Sequence, residues 1–381
     1  MHELNLISPG KLTWLERPEP TLLRDDDAIV RPFVAARCDA DRMPMTSLIR
    51  AVWLGGRTGL LDPILVESFG KKPYAGPCAI GHECVAEVVE IGPAVTTVAV
   101  GDKVIVPWSV SCGQCENCRR GLTLKCTVSR YESGREQPVV CYGLGPVSGS
   151  YGDGTYGGMI SDFIRVPYAN HMLARLPDGL DPLRVAAASD SLVDGWRCVI
   201  PHLREQPGAK VLVVGGMARA IGLYAAGIAA THGASVDYLD SSSQALTIAE
   251  SLGAQPVQRR GILRFPKPHE AYDIVVDASN VPTGITHAVR STAPGGICVV
   301  PSYHMALVTG VPLMHMTFTS ITLHVSTTNA AAVLPEVLTW VHDNDFPAEK
   351  VTPEVSDWSE APTVYATKSM EKPVLYRSPL T

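Results

Sequence analysis

The stretch Lys210–Thr231, KVLVVGGMARAIGLYAAGIAAT, decides the fold of this 381-residue chain. Residues 210–214 are apolar after one lysine and rich in valine, which predicts a short buried strand. Two glycines follow at Gly215 and Gly216, and the remainder predicts a helix from about Ala220 to Thr231. A strand that leads through a glycine turn directly into a helix is one unit of an alternating strand–helix fold.

The same alternation continues on both sides of this stretch. Downstream, the sequence predicts a strand at 235–239, a helix that ends at Gly253, and strands at 272–277 and 297–300. Upstream, Asp181 and Pro182 predict a helix start, because aspartate caps free N–H groups and proline fits the first helical position. We expect that helix to run to about Val199. The repetition predicts an α/β fold with a parallel sheet and helices on both faces.

The glycine turn is also a candidate cofactor site. A helix N-terminus that follows a strand presents backbone N–H groups to a pyrophosphate, so we expect a dinucleotide here. The turn is about two residues longer than the standard G-x-G-x-x-G. The expected contacts are Gly215, Gly216, Ala220, Ile221 and Gly222.

Asp240 ends the next predicted strand, 18 residues after Gly222. A carboxylate at this place accepts hydrogen bonds from the adenosine ribose hydroxyls and repels a 2′-phosphate. Three serines follow it instead of an arginine, which favours NAD over NADP. The alternative is that Asp240 simply caps the following helix.

The first half of the chain has the composition of short strands broken by Gly, Pro and Asp. Strand character is visible at 28–33, 84–91 and 103–107. Two longer stretches, at about 44–76 and 127–158, lack a clean period and are predicted to be loops. Long loops in a compact domain often cover binding sites.

Four cysteines lie close together in the pattern C-x2-C-x2-C-x7-C. Four thiolates satisfy tetrahedral zinc completely, so such a site is structural. Gly113 and Gly121 relieve the backbone where it wraps the ion. Buried thiols or disulfides are the alternative, which the compact spacing disfavours. The predicted structural zinc ligands are Cys112, Cys115, Cys118 and Cys126.

Three further residues are weak metal candidates when each is taken alone. Cys38 lies in the segment RCDAD, His82 in GHE and Asp190 in SDSLVDG. A single cysteine is usually a small buried apolar residue, and a single histidine usually has a structural role. Their order along the chain makes these three residues informative. The four-cysteine segment lies between His82 and Asp190, and the glycine turn follows Asp190.

This order resembles that of the zinc-containing medium-chain alcohol dehydrogenases over nearly the whole chain. Further matching features are Gly92, the turn GDKV at 101–104, and the segments at 165–167 and 176–179. The resemblance implies that Cys38, His82 and Asp190 bind a catalytic zinc, and that Glu83 is a nearby carboxylate able to approach the metal. It therefore implies two zinc ions per chain, together with NAD. An open zinc site acts as a Lewis acid on an alcohol or carbonyl oxygen while hydride moves to or from the nicotinamide.

The resemblance also implies the architecture. A β-rich GroES-like catalytic domain would comprise residues 1–178 and 320–381, and a Rossmann domain would comprise 179–319. Lys372 matches a basic position that contacts the pyrophosphate in relatives, although a solvated lysine is the alternative. The segment from Ile297 to Phe318 would form the subunit contact, which implies a homodimer or homotetramer.

Two positions depart from the family pattern. Many members carry Ser or Thr two residues after the first zinc ligand to pass a proton outward, and here Ala40 stands there. Met43 replaces a histidine that often extends this relay. Asp194 is our candidate for another route, since it lies four residues after Asp190 on the same predicted helix. It is equally compatible with a surface carboxylate, and Asp39 is a weaker candidate.

Composition limits the function. The formal charge of −6 and the aromatic content of 6% argue against nucleic-acid binding. No signal peptide is visible, and the longest apolar stretch is too short for a bilayer. Ten cysteines that include a metal-type cluster favour a reducing compartment, so we expect a cytoplasmic protein.

Two other functions stay open at this point. The same fold hosts reductases of conjugated carbon–carbon double bonds, with which Ala40 is compatible. A non-catalytic nucleotide-binding scaffold is the second alternative.

The sequence determines the substrate least of all. The long segment between Cys38 and His82 either packs as a surface excursion onto the body of the protein or lines an apolar cleft. Such a cleft would suit a bulky secondary alcohol or ketone. The apolar residues of the segment are Leu48, Ile49, Val52, Trp53, Leu54, Leu60 and Leu61.

Overall fold

The computed structural model describes residues 1–43, 45–46, 48–64, 77–131, 139–143, 156–261, 263–268, 270–301, 303–367 and 372–381. The strands are β1 (His2–Ser8), β2 (Lys11–Glu16), β3 (Ala28–Ala36), β4 (Cys78–Ala79), β5 (Glu83–Ile91), β6 (Lys103–Ile105), β7 (Ile164–Val166), β8 (Ala174–Arg175), β9 (Lys210–Val214), β10 (Ser235–Asp240), β11 (Gln255–Gln258), β12 (Tyr272–Asp277), β13 (Thr292–Val300), β14 (Thr322–Val325), β15 (Val355–Asp357) and β16 (Val374–Tyr376). The helices are α1 (Leu48–Thr58), α2 (Glu116–Arg119), α3 (Thr127–Tyr131), α4 (Ala169–Met172), α5 (Ser191–Glu205), α6 (Arg219–Thr231), α7 (Ser243–Ser251), α8 (Pro282–Ser291), α9 (Leu313–Thr319), α10 (Ala330–Asp343) and α11 (Ala361–Tyr365).

The chain forms two compact units. The first comprises residues 1–190, 329–342 and 352–381, and the second comprises 191–328 and 343–351. The chain thus changes units at 190 and 328, whereas the sequence placed the domain boundaries at 178 and 319. Which boundaries delimit independently folding domains stays a proposal.

The first unit is built mainly on antiparallel strands, and only β15 and β16 among its named strands pair in parallel. A seven-stranded sheet has the order β15-β16-β3-β5-β6-β8, with β7 also paired to β3, and a three-stranded sheet has the order β2-β1-β4. In the β3–β5 pair, Ala36 lies opposite Glu83. Because these residues end one strand and begin the other, the register brings Cys38 and His82 to the same end of the sheet.

A buried ion pair joins β7 to the turn before β3. An Arg165 guanidinium nitrogen lies 2.8 Å from Oδ2 of Asp27, and both side chains are almost completely buried. The same carboxylate oxygen accepts the backbone N–H groups of Leu23 and Arg24 at 3.0 and 3.1 Å. Asp27 therefore fixes the chain entry into β3 with its charge compensated.

Asp27→Asn should lower the free energy of unfolding by about 3–5 kcal/mol, because it leaves a buried arginine without a counter-ion. Denaturant unfolding followed by circular dichroism measures this loss. Asp178→Asn is the control, since its pair with Arg175 is exposed, and it should cost less than about 1 kcal/mol. Equal effects of the two substitutions would contradict the role given to Asp27.

The second unit contains the predicted parallel sheet. Its six strands have the order β11-β10-β9-β12-β13-β14, and all pairings are parallel. The predicted strands at 210–214 and 272–277 match the observed bounds, and α6 begins one residue before the prediction. Gly253 ends the connection after α7 with φ of +92°, as a C-terminal glycine should.

Three sequence predictions of local structure were wrong. The helix expected from Asp181 begins only at Ser191, because residues 182–190 form successive turns with backbone bonds such as Asp190 N–H to Ala187 O. Helix α1 lies inside the predicted loop at 44–76, and the short α3 lies inside the loop at 127–158. Residues 65–76, 132–138 and 144–155 of these two stretches lie outside the described residues, as do the side chains of Leu48 and Ile49.

Within the described ranges, no helix has the length and apolar character needed to cross a bilayer.

Candidate active site

The first unit brings together the three residues that the sequence offered as an open metal site. The ligand atoms of Cys38, His82 and Asp190 all lie within 4.8 Å of one another. The Cys38 sulfur is 3.4 Å from Oδ2 of Asp190, and Nε2 of His82 is 3.6 Å from the same oxygen. Bonds of 2.0–2.3 Å to tetrahedral zinc place two ligand atoms about 3.3–3.8 Å apart. The two distances to Asp190 therefore match the spacing of zinc ligands.

Strand pairing and hydrogen bonds to the backbone position each of the three residues at this cluster. Cys38 and His82 lie one or two residues beyond the paired ends of β3 and β5. Asp190 follows Ser189, whose hydroxyl oxygen accepts the Cys84 N–H at 3.0 Å and whose carbonyl accepts the Trp108 N–H at 3.2 Å. Cys38 and Asp190, which are 152 positions apart, thus meet because Ser189 is tied to β5.

The electrostatics of this cluster suit a cation. Burial and, after it, the charge of Asp190 raise the pKa of the Cys38 thiol to about 12, although His82 and Lys372 oppose the rise. Burial also acts to raise the pKa of Asp190, but the hydrogen bond and charge of His82 outweigh it, and that pKa falls. A divalent cation would hold the thiolate and the carboxylate together as anions, since metal binding favours the deprotonated ligands.

Asp41 orients the histidine, and the sequence reasoning assigned it no role. Its Oδ1 lies 3.1 Å from Nδ1 of His82, so Nε2 is the ring nitrogen directed toward Asp190. Its Oδ2 accepts the Cys38 N–H at 3.2 Å and lies 3.0 Å from the Tyr365 hydroxyl. A carboxylate behind a ligating histidine fixes the ring and its tautomer. The signal in the sequence was an aspartate three residues after Cys38, in a short turn of helix at 39–42.

Glu83 is fully buried, and its carboxylate forms an ion pair with Lys372, which is only 3% exposed. Burial raises the pKa of Glu83, while the charge of Lys372 acts against that rise. The solvated lysine that the sequence left open is thereby excluded. The approach of Glu83 to a metal and the contact of Lys372 with a pyrophosphate stay predictions.

The four-cysteine segment forms a second compact cluster. The sulfurs of Cys112, Cys115, Cys118 and Cys126 lie within 4.8 Å of one another. None of the described cysteines forms a disulfide, and Cys112, Cys118 and Cys126 are buried, so the buried-thiol alternative also fits the structure and the structural zinc stays a prediction.

Backbone N–H groups point at the sulfurs of this cluster. The Cys115 N–H donates to the Cys112 sulfur at 3.3 Å, and the Cys112 N–H donates to the Cys126 sulfur at 3.3 Å. Gly113 adopts a φ of +72°, and a Cβ there would lie 2.6 Å from the His171 ring, so glycine is required. Amides directed at sulfur stabilise thiolates, which is the form that binds zinc.

In the second unit, the glycine turn spans the four residues between β9 and α6. A Cβ at Gly216 would lie 2.7 Å from the Ser279 backbone, and one at Gly215 would lie 2.5 Å from Oδ2 of Asp240. The Ala218 N–H donates to the Ala278 carbonyl at 3.1 Å. The two glycines therefore allow close packing of the turn against neighbouring strand ends. Gly222 packs in the same way, since a Cβ there would lie 3.1 Å from the Ala278 side chain.

Asp240 is buried at the end of β10. Its Oδ1 accepts the N–H groups of Ser241 and Ser242 at 2.6 and 2.9 Å, and its Oδ2 lies 3.3 Å from the Tyr238 hydroxyl. The helix cap is instead Ser242, whose side-chain oxygen accepts the Ala245 N–H at 3.3 Å, so the capping alternative for Asp240 is wrong. The contacts of Asp240, Ala220 and Ile221 with a dinucleotide stay predictions.

Comparison with known proteins agrees with this geometry. Residues 24–178 match the family model described as "Alcohol dehydrogenase GroES-like domain", and residues 220–343 match the one described as "Zinc-binding dehydrogenase". Together the two ranges cover most of the chain. The chain belongs to the zinc-containing medium-chain dehydrogenase/reductase family. This dehydrogenase is therefore an oxidoreductase, built from a GroES-like unit and a Rossmann-type parallel sheet.

Individual relatives extend over most of the dehydrogenase. The "Probable zinc-binding alcohol dehydrogenase" of Mycobacterium tuberculosis is 29% identical over 302 residues, which is 78% of this chain and 73% of the relative. A "Medium chain reductase/dehydrogenase" of Acremonium sp. is 29% identical over 267 residues, which is 69% and 77% of the two chains. Among solved structures, an alcohol dehydrogenase from Thermus sp. ATN1 is similar with a TM-score of 0.80, 25% identity and 99% coverage of both chains.

Asp194 differs from its predicted setting in the dehydrogenase. Asp190 precedes the first residue of α5, so the two aspartates do not share a helix face as the sequence suggested. The Asp194 carboxylate instead forms a buried ion pair with Arg197, one turn further along α5. Its role in proton transfer stays a prediction.

Proposed function

We propose that this enzyme transfers hydride between NAD(H) and an alcohol or carbonyl substrate, with two zinc ions per chain. The observation that carries the proposal is the convergence of Cys38, His82 and Asp190, whose spacing fits zinc and whose number leaves a coordination position for substrate. The four cysteines would hold the second, structural ion. When bound, the catalytic zinc supplies a Lewis acid for the substrate oxygen, and the nicotinamide supplies or accepts the hydride.

The protein residues would set the charge and geometry of this site. The Cys38 thiolate and the Asp190 carboxylate offset the metal charge in a buried setting. Asp41 keeps the His82 ring in one orientation through Nδ1. Lys372 neutralises Glu83 beside them. Because Ala40 cannot carry a proton, release of the alcohol proton would depend on another group.

The choice of NAD over NADP rests on Asp240. Its carboxylate at the end of β10 would repel a 2′-phosphate. The structure also places Arg259 near it, which the sequence reasoning overlooked because Arg259 follows β11. Its guanidinium donates to the carbonyls of Gly215, at 3.2 Å, and Gly261, so these donors are already engaged.

The bulky secondary alcohol or ketone remains our proposed substrate class. Helix α1 lies between the two zinc ligands Cys38 and His82 in sequence, and it exposes Leu54 while Leu60 and Ile64 beyond it are also exposed. Exposed apolar side chains in the segment that connects two predicted zinc ligands suit a surface that binds an apolar substrate.

We also propose that the enzyme assembles as a homodimer or homotetramer. Strand β14 is an edge of the parallel sheet, and α9 just before it exposes Met314 by 71% and Phe318 by 82%. An open strand edge beside large exposed apolar side chains suits contact with a second copy. Cysteines that form no disulfide in the described part of the chain suit a reducing compartment such as the cytoplasm.

A screen of alcohols with NAD⁺ and NADP⁺ tests the proposed reaction. We expect secondary alcohols to give the highest kcat/KM, and NAD⁺ to be preferred over NADP⁺ by tenfold or more, roughly the effect of one unfavourable charge contact. Reduction of an unsaturated aldehyde should yield the allylic alcohol. A saturated aldehyde would instead establish the double-bond reductase, and inactivity over the whole panel would support the non-catalytic scaffold.

A further inference from the structure

A histidine–aspartate pair lies at the carboxyl edge of the parallel sheet, within the second unit. Asp277 ends β12, and His304 follows the end of the adjacent strand β13. Nε2 of His304 lies 3.0 Å from Oδ2 of Asp277. The Asp277 side chain is fully buried, and that of His304 is only 10% exposed. Neither residue belongs to the zinc clusters or to the predicted cofactor contacts.

The surroundings of Asp277 determine which nitrogen of the ring carries a proton. Its Oδ1 accepts the N–H and the hydroxyl of Ser279 at 3.1 and 2.6 Å. The carboxylate therefore acts only as an acceptor, and Nε2 of His304 must donate to it. In the neutral ring, Nδ1 is then a hydrogen-bond acceptor.

Nδ1 of His304 has no hydrogen-bond partner in the described part of the chain, although it is buried. Leaving a buried polar atom without a partner is unfavourable, so such atoms are rare unless a ligand or water completes them. The aspartate meanwhile holds the ring rigidly. The arrangement suits a preformed acceptor for a donor group of a bound molecule.

The position of this acceptor identifies the ligand. Ser279, which holds Asp277, also packs against Gly216 of the glycine turn, so the pair adjoins the predicted pyrophosphate site. In a doubly wound sheet the dinucleotide lies across the carboxyl edge at the switch in strand order, here between β9 and β12. Asp240 lies on the β10 side of that point and faces the adenosine half. Strands β12 and β13 lie on the other side.

We propose that His304 is a cofactor-binding residue that accepts, through Nδ1, a hydrogen bond from the nicotinamide–ribose half of the dinucleotide. This inference rests on the proposed dinucleotide function. That half of the cofactor offers the donors required, namely two ribose hydroxyls and the carboxamide NH₂. Asp277 is the positioning residue that fixes the ring for this contact.

Binding measurements on the zinc-loaded enzyme test the inference without relying on turnover. In His304→Leu, the Kd of NADH, measured by fluorescence or calorimetry, should rise about threefold to tenfold, the effect of one hydrogen bond. The Kd of ADP, which lacks the nicotinamide half, should not change. His304→Gln should restore part of the NADH affinity, since its amide can donate to Asp277 and accept from the ligand.

His287→Leu is the matched control. His287 is also buried in this unit, but it stacks on Phe265 and lies beside Ser291. Its replacement should change neither Kd. ADP-ribose then identifies the donor: weaker ADP-ribose binding in His304→Leu indicates a ribose hydroxyl, and unchanged ADP-ribose binding indicates the carboxamide.

Two results would overturn the inference: an unchanged Kd of NADH in His304→Leu, or an equal rise for NADH and ADP, which indicates general damage to the site. Failure of the proposed function gives a different result. In that case the wild-type enzyme itself binds neither NADH nor NADPH. If the wild type prefers NADPH, the Kd of NADPH is compared between the wild type and His304→Leu, and the same outcomes support or overturn the inference.

Discussion

Cys38→Ser should lower kcat/KM for the best alcohol by about 10³-fold or more, and it should remove one of two zinc ions per chain. Serine is nearly isosteric with cysteine, but its hydroxyl is a poor zinc ligand at neutral pH. Loss of a Lewis acid removes several kcal/mol of transition-state stabilisation, and each 1.4 kcal/mol corresponds to a factor of ten. Steady-state kinetics and elemental analysis of protein purified without chelator measure both effects.

Cys298→Ser provides the control for this experiment. Cys298 is fully buried in β13 and belongs to neither cysteine cluster. The Cys298→Ser variant should retain two zinc ions and nearly normal kcat/KM. That result would show that a change of a buried thiol to a hydroxyl is tolerated. Full activity in Cys38→Ser, or loss of both zinc ions, would refute the assignment of Cys38 to a separate catalytic site.

The metal ligands of this site could be predicted because they follow one another along the chain in a recognisable order. Cys38, His82 and Asp190 carry no individual signal, but their sequence order around the four-cysteine segment indicated a shared function. The structure gives the physical reason for their convergence. The β3–β5 register aligns Ala36 with Glu83, and Ser189 ties the third segment to β5. Neither the register nor the tie is visible in a local pattern.

The supporting contacts were missed because the partners are remote in sequence, although Glu83 and Lys372 were themselves predicted as site residues. Tyr365 meets Asp41 across 324 positions, and Lys372 meets Glu83 across 289. His304 gains its meaning only from Asp277 on the neighbouring strand. Composition and periodicity report burial and element type, and they carry no information on which side chains meet between elements.

The errors in local structure have a similar origin. Helix α1 was predicted as loop because the stretch at 44–76 shows no clean period, and its two adjacent glycines, Gly55 and Gly56, also have low helix propensity. Gly55 lies beside Leu61, where a Cβ would be 2.8 Å from the leucine side chain. Glycine is thus selected for packing, which overrides its low propensity. The delayed start of α5 likewise reflects the tie at Ser189, since the chain must reach β5 before the helix begins.

Cys126→Ser should have the largest effect on stability. Cys126 is fully buried and accepts backbone N–H groups from Cys112 and Ser129, so it is central to the four-cysteine cluster. Structural zinc contributes directly to folding, and its loss should cost several kcal/mol. We expect the thermal midpoint to fall by about 10 °C or more, at roughly 2–4 °C per kcal/mol.

Thermal unfolding combined with zinc analysis distinguishes this effect from that of Cys38→Ser. Cys126→Ser should lose one zinc ion and much stability, yet below its midpoint it should retain activity per remaining zinc. Cys38→Ser should lose one zinc ion and activity while keeping its midpoint within a few degrees. Cys78→Ser, a buried thiol outside both clusters in the same unit, should change none of these properties substantially. If instead Cys126→Ser kept two zinc ions and a normal midpoint, the four sulfurs would not be a metal site, and the backbone amides directed at them would need another explanation.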